Sequence, residues 1–391
     1  MAKRSNTKLS SKNIIWILVA VVVLVGLLVA LAYSPVGQKV IDMISTEGGT
    51  PGTPNSPSDD KVFTGIGSNI VADDGTELLG TVTFEAHFVD VAQGDAMLLR
   101  FNDPSGTVNV LLDAGSDSPS DVVTAEDLTS YLSAVLGDEA IDIAIVTHPD
   151  TDHYDMMDEV FEAFTVEEVY YNEVNKNQTY ERFMNDVETE LGDAGSPVPA
   201  NGGTYNVLDT DSYSLTIYAP GYNRFWDGAY DENNRPELDA DASNGMSLMV
   251  VVEVAGRKLL FTGDATGSGT DDVMTGTEQW FIENCYTAGD DYDFLKVAHH
   301  GSNTSSALQF LQTINPEYCV ISCDDGTKHG HPDPEVMNKL FDEGVVTYRT
   351  NRHGNIVLLI DTAGKMAFDV EKEVPVENNT DNLSDLMLRS N

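Results

Sequence analysis

Apolar and polar positions alternate in two registers along most of this chain, one of period two and one of helical spacing, and together they predict a succession of short strands and helices. Thr81 to Val91 alternates with period two and predicts a strand, with Met97 to Phe101 as its hairpin partner and Ala92-Gln93-Gly94-Asp95-Ala96 as the turn. Val108 to Asp113 predicts a third strand. Asp121 to Leu136 places apolar residues at helical spacing, and Ile141 to Thr147 is a continuous strand-type run. A helical pattern then reaches about Phe164, followed by a strand over Val166–Tyr171 and a polar helix over Tyr180–Leu191. Two hairpins are expected at 205–208 with 214–218 and at 247–253 with 258–262. Between them the acidic, Asn-rich stretch Trp226–Asn244 predicts a long surface loop. Strands at 295–298, 318–322, 345–350 and 355–360 and a helix at 335–341 complete the pattern, in which strand, loop and helix recur as in an α/β layer.

Upstream of this region, Ile14 to Ala32 is apolar without a break. At 1.5 Å per residue it can cross a hydrocarbon core of about 30 Å, and Lys3, Arg4, Lys8 and Lys12 lie on the flank expected to stay in the cytoplasm. The expected organisation is a basic cytoplasmic segment (1–13), a single-pass membrane anchor (14–33), a flexible linker (34–61), one folded domain (62–372) and a disordered acidic tail (373–391). A cleaved signal peptide is the competing reading, because Ala30-Leu31-Ala32 resembles a cleavage site. Either reading puts the folded domain outside the cytoplasmic membrane, anchored to it or secreted.

The chain has 391 residues, 41% of them hydrophobic, enough for a substantial core. Its 64 acidic residues against 21 basic ones give a formal charge of −43, spread along the chain. Such a surface repels polyanions and argues against a tight duplex binder, which needs Lys and Arg for phosphate contacts. Three cysteines, Cys285, Cys319 and Cys323, exclude a disulfide framework.

The chemistry concentrates where predicted strands stop. Ile141–Thr147 ends in His148-Pro149-Asp150-Thr151-Asp152-His153, four potential ligands so close that they read as half of a metal site. Two more strands end in Thr262-Gly263-Asp264 and His299-His300-Gly301-Ser302. His148 with Asp150 can hold one divalent ion and Asp152 with His153 another, with Asp264 bridging and His299 or His300 completing the second pocket. His87, alternating with apolar neighbours, reads as structural, and His353 as a turn residue; Asp95 is either a turn former or a partner that orients a ligand imidazole.

The ordered series His148-x-Asp150-x-Asp152-His153, Thr262-Gly263-Asp264 and His299-His300-Gly301-Ser302 resembles the metallo-β-lactamase superfamily, and within it the hydrolase domain of ComEC-type DNA-uptake proteins. Phe88-Val89-Asp90-Val91-Ala92-Gln93-Gly94-Asp95-Ala96 and Gly330-His331-Pro332-Asp333-Pro334-Glu335 extend the resemblance over roughly 84–360. It implies an α/β fold, an αββα sandwich, with a site at one sheet edge holding two divalent ions, Zn²⁺ or Mn²⁺. It further implies that Asp152 is a metal ligand and general base, that His331 and His329 steady a phosphate oxygen or protonate the leaving group, and that Asn244 and Ser302 line the substrate site. Two departures stand out. Asp150 replaces the usual second histidine, which hardens the site toward Mn²⁺, and no histidine occurs from Tyr154 to Ala298, where many members have one; Asn244 is a candidate for that position. With one candidate membrane segment, this sequence is expected to carry the hydrolase domain without the many-span channel of full-length DNA-uptake proteins. The expected activity is that of an extracellular phosphodiesterase or nuclease, with a channel or competence partner. A phosphorylcholine or teichoic acid esterase acting on a wall-linked phosphate ester, a β-lactamase or lactonase, and a non-catalytic metal-stabilised binding module are the alternatives.

Overall fold

Alternation along a strand sends successive side chains to opposite faces, and here each face finds a different layer. In the computed structural model, which describes residues 80–374 except 119–121, 175, 193–194, 199–201, 222–239, 268–272 and 326–329, fifteen strands form two sheets. The first has the order β15-β14-β1-β2-β3-β4-β5-β6 and the second β13-β12-β11-β10-β9-β8-β7. Their ranges are β1 Val82–Phe88, β2 Ala96–Asp103, β3 Gly106–Ala114, β4 Ile141–Ile145, β5 Val166–Asn172, β6 Gly195–Val198, β7 Gly203–Asp209 and β8 Tyr213–Ala219. The remainder are β9 Met249–Val254, β10 Arg257–Phe261, β11 Phe294–Lys296, β12 Tyr318–Ile321, β13 Val346–Arg349, β14 Ile356–Asp361 and β15 Met366–Val370.

Phe84, Ala86 and Phe88 of β1 and Val250, Val252 and Val254 of β9 face each other in the core between the sheets. On the outer face of the first sheet, Leu98 and Leu111 pack under the helices Ala125–Leu136 and Met157–Ala163. On the outer face of the second, Val251 and Leu260 pack under the helices Gly276–Asn284, Leu308–Ile314 and Pro334–Asp342. Three cores separate four layers, and the expected αββα sandwich is what folds. Strands β3 to β6 of one sheet and β10 to β13 of the other are parallel, so their carboxyl ends gather on one edge. In open α/β sheets that is the edge where ligands bind.

Several elements differ from expectation. The helix expected from Asp121 starts at Ala125, because Thr124 and Asp127 form a capping box that fixes its first turn. The helix expected to reach Phe164 is broken into Thr151–Tyr154 and Met157–Ala163. The expected surface loop 226–244 is corrected at its carboxyl end: Ala240–Gly245 is helical, Ala242, Ser243 and Asn244 are buried, and Ser243 donates to Asp150 of the ligand loop. The expected cytoplasmic segment, anchor and linker, residues 62–79 of the expected folded domain and residues 375–391 of the tail lie outside the described residues. Among the described residues, no helix is long and apolar enough to cross a membrane.

Candidate metal centre

The ligand loop leaves β4 and is held by one buried carboxylate. Asp113, at the end of β3, accepts from Thr147 N at 2.7 Å, Thr147 Oγ1 at 2.8 Å and His153 Nδ1 at 2.8 Å. Because Thr147 Oγ1 spends its proton on Asp113, it accepts from His148 Nδ1 at 3.2 Å. His300 Nδ1 in turn donates to Ser322 O at 3.0 Å. With Nδ1 committed in all three rings, Nε2 is left as the ligand atom, the arrangement that orients metal-binding imidazoles. Gly263 admits the approach of the second sheet: at φ 50°, a Cβ there would lie 2.8 Å from Thr147 Oγ1. His299 and His300 both adopt left-handed backbone, φ 51° and 53°, a conformation that non-glycine residues hold only where the surroundings enforce it.

These constraints turn the ligands toward Asp264. Its Oδ2 lies 3.8 Å from His148 Nε2 and 3.6 Å from His299 Nε2. Its Oδ1 lies 3.2 Å from His153 Nε2 and 3.8 Å from His300 Nε2. Each oxygen therefore addresses a different pair of imidazoles, as a bridging carboxylate does. Asp150 Oδ2 reaches the first pair, 3.9 Å from His148 Nε2. Asp152 Oδ2 reaches the second, 3.1 Å from His300 Nε2. The pockets touch: the His148 and His153 rings lie 4.1 Å apart, and ligand atoms of His148, His153 and Asp264 fall within 4.8 Å of one another, as do those of Asp152, His153 and His300.

The donor set fits a pair of divalent cations. His148 Nε2, His153 Nε2 and Asp264 Oδ1 are buried without a hydrogen-bond partner, and such groups are seldom left unsatisfied in a folded protein. The electrostatics agree. Burial works against the charge on Asp264, yet the surrounding His153, His299 and His300 hold its carboxyl well below the usual range. Burial and the neighbouring His153 push His148 down, so this ring favours its neutral, ligating form. Burial opposes charge on His153 too, but Asp264 and Asp113 outweigh it and raise its pKa well above the ordinary value. The carboxylates thus draw positive charge to this ring, and a bound cation would take the place of its proton.

An outer ring of side chains fixes the ligands. Asp150 Oδ1 accepts from Ser243 Oγ at 2.6 Å and pairs with Lys176 Nζ at 2.9 Å, which turns Oδ2 toward His148. Asp95 and Lys296, both fully buried, pair at 2.9 Å beneath His153 and His300. Asp95 N also donates to Asp152 O. Of the residues expected at the mouth, Asn244 Nδ2 lies 3.5 Å from His299 Nε2, and the His331 ring lies 5.8 Å from that of His299. Ser302 and His331 line an open cleft of about 560 Å³ together with Gln93, Asp117, Lys176 and Asn177. His329 lies outside the described residues. His87 is structural, buried between Glu85 and Tyr131. Asp113, Thr147, Lys176, Ser243 and Lys296 carry no local signature, and only the fold brings them to the ligands.

The family model described as the metallo-beta-lactamase superfamily matches residues 89–323, from just after β1 to just after β12. The chain belongs to the metallo-β-lactamase superfamily. Members of this superfamily are generally metal-dependent hydrolases that bind divalent cations, and the His–Asp clusters here are of the kind that holds them. Among characterised proteins, this member is 22% identical to ComE operon protein 3 of Bacillus subtilis over 280 residues, 70% of this chain and 32% of that protein. It is 32% identical to Competence protein ComA of Neisseria gonorrhoeae over 168 residues, 43% of this chain and 23% of that protein. The chain thus spans a third or less of the relatives it matches. It also aligns with the metallo-beta-lactamase fold protein YhfI of Bacillus subtilis at 12% identity and a TM-score of 0.41, over 73% of this chain and all of that one.

Proposed function

We propose that this metallo-β-lactamase member is a binuclear metal-dependent phosphodiesterase. The observation that carries the reading is Asp264, whose two oxygens face two separate His–Asp pockets while three of the inward-facing ligand atoms lack any hydrogen-bond partner. His148, Asp150 and His299 would hold one cation, Asp152, His153 and His300 the other, and Asp264 both. When bound, Zn²⁺ or Mn²⁺ polarises the phosphoryl group and acidifies water.

The protein's own groups then have distinct tasks. Asp152, held by His300 at the cleft floor, orients the attacking water and takes its proton. His331, across the cleft beside His299, protonates the departing oxygen. Asn244 and Ser302 position the substrate. The relationship to competence proteins favours nucleic acid as the substrate class. The charge of −43 instead favours a short or wall-linked phosphodiester over a long duplex. We place the domain outside the cell membrane, on the anchor at 14–33, where a channel partner could meet it.

The test is metal content followed by rate. The full chain should hold close to two divalent ions and cleave bis-p-nitrophenyl phosphate, and Asp152→Ala should slow that reaction by about a hundredfold or more. Nitrocefin turnover without phosphodiester cleavage would move the protein to the C–N hydrolases instead. A chain that binds no metal would sink the enzymatic reading.

A further inference from the structure

Lys176, which pairs with Asp150 Oδ1 in the ring around the ligands, carries three donors on one ammonium and faces the cleft as well. It lines the cleft with its side chain 15% exposed, in the turn between β5 and the helix Gln178–Asp186. That turn is tied to the ligand loop from both sides. Asn172 donates to Thr147 O at 3.1 Å, and Tyr180 Oη donates to Asn172 O at 2.8 Å. Asn177 caps the helix by accepting from Tyr180 N, and it also accepts from the Tyr154 hydroxyl beside His153. Residue 176 is therefore carried on the same frame as the metal ligands.

Around it the cleft presents Asp117, Asp150, Asp152 and Asp264. Among the described lining residues, Lys176 is the one Lys or Arg, and no Phe, Tyr or Trp is present on which a base could stack. Recognition through bases needs such aromatic platforms, and recognition of a long polyanion needs a basic track. What the cleft has is a single ammonium with three donors on a flexible stem, next to the Asp150 ligand.

We propose that Lys176 is the substrate-anion anchor, gripping a non-bridging oxygen of the scissile phosphodiester and making the negative charge of that one phosphoryl group the feature selected. The inference rests on the phosphodiesterase reading and narrows it to substrates recognised at one phosphate. An ammonium that binds ground state and transition state alike raises affinity without changing turnover.

The experiment uses the metal-loaded full chain with Lys176→Met and Lys176→Arg, metal content being measured on each. For bis-p-nitrophenyl phosphate, Lys176→Met should raise KM about tenfold, the factor expected for one charge-assisted hydrogen bond, with kcat nearly retained. Lys176→Arg should recover most of the loss. The KM for the uncharged methyl triester of the same compound should not move, and inorganic phosphate, titrated calorimetrically, should bind about tenfold more weakly to the Met variant. An unchanged KM and phosphate affinity would overturn the anchor. So would loss of metal from Lys176→Met, since Lys176 would then act only by positioning Asp150. If the wild type holds metal but cleaves no phosphodiester, the phosphodiesterase reading fails, and the phosphate titration still decides whether Lys176 binds an anion.

Discussion

Asp113 shows most plainly how a residue without a motif governs those within one. Its carboxylate fixes the backbone and hydroxyl of Thr147 and the Nδ1 of His153, and through Thr147 Oγ1 it also sets the ring of His148. Asp113→Asn keeps the size but replaces one acceptor with a donor, so at least one of these contacts must break. Metal affinity should fall by about 10- to 100-fold, the usual loss when an orienting partner is removed, and competition with a chromogenic chelator would measure it. Unaltered affinity would show that the imidazoles hold their geometry unaided. That His148 to His153, Asp264, His299 and His300 are candidates for one cluster was legible from their spacing, and the fold brings them together. Asp113 was read only as the end of a strand, because its role depends on β3 and β4 lying side by side in parallel, which no local pattern encodes. The division of labour between His299 and His300 was equally hidden. It follows from two consecutive left-handed residues that aim neighbouring rings at different oxygens of Asp264.

At the level of elements, the centre depends on how the two sheets are joined. Lys296 ends β11 in the second sheet, while Asp95 stands in the loop between β1 and β2 of the first; their buried contact at 2.9 Å crosses the seam under the ligands. Removing one member of such a pair leaves an uncompensated buried charge, which destabilises by about 3–5 kcal/mol. Lys296→Met should therefore lower the denaturation midpoint sharply, and Lys296→Met combined with Asp95→Asn should recover part of the loss. If the single and double variants unfold together, the pair is not a joint. A second junction is sensitive to pH. Glu278, fully buried on the helix Gly276–Asn284, accepts from Ser306 N and Ala307 N ahead of the helix Leu308–Ile314. Burial pushes its carboxyl up to about 8. Its pKa is thus higher folded than unfolded, so the folded state binds the extra proton. Its contribution is complete below about pH 4.5 and is lost as pH rises toward 8, at up to about 1.4 kcal/mol per pH unit. Urea unfolding across that window should show this slope, and Glu278→Gln should flatten it. Neither helix was foreseen in the sequence. Leu308–Ile314 is seven residues long, too short for helical spacing to register, and β6, Gly-Ser-Pro-Val, carries no alternation and forms by pairing with β5. Strands such as β8, by contrast, were readable because one face is buried and the other is not, which leaves an alternation of period two in the sequence.

For the whole molecule the deciding quantity is charge. With −43 on 391 residues, approach of a nucleic acid is opposed at long range by the net charge, whereas the proposed chemistry at Lys176 and the metal pockets acts over a few ångströms. The two ranges respond differently to salt. The Debye length falls from about 30 Å at 0.01 M to about 8 Å at 0.15 M, so added salt removes the long-range repulsion first and leaves buried contacts almost untouched. A basic DNA-binding protein loses affinity with salt, because each phosphate it neutralises releases counterions. Here the sign should reverse: between roughly 0.01 M and 0.15 M, kcat/KM for single-stranded DNA should rise, while kcat/KM for bis-p-nitrophenyl phosphate changes little. Steady-state rates on both substrates, in the same salts and at fixed free metal, test the point. A fall with salt for the DNA substrate would mean that a basic track outside the described residues outweighs the acidic surface, and the preference for short phosphodiesters would have to be abandoned.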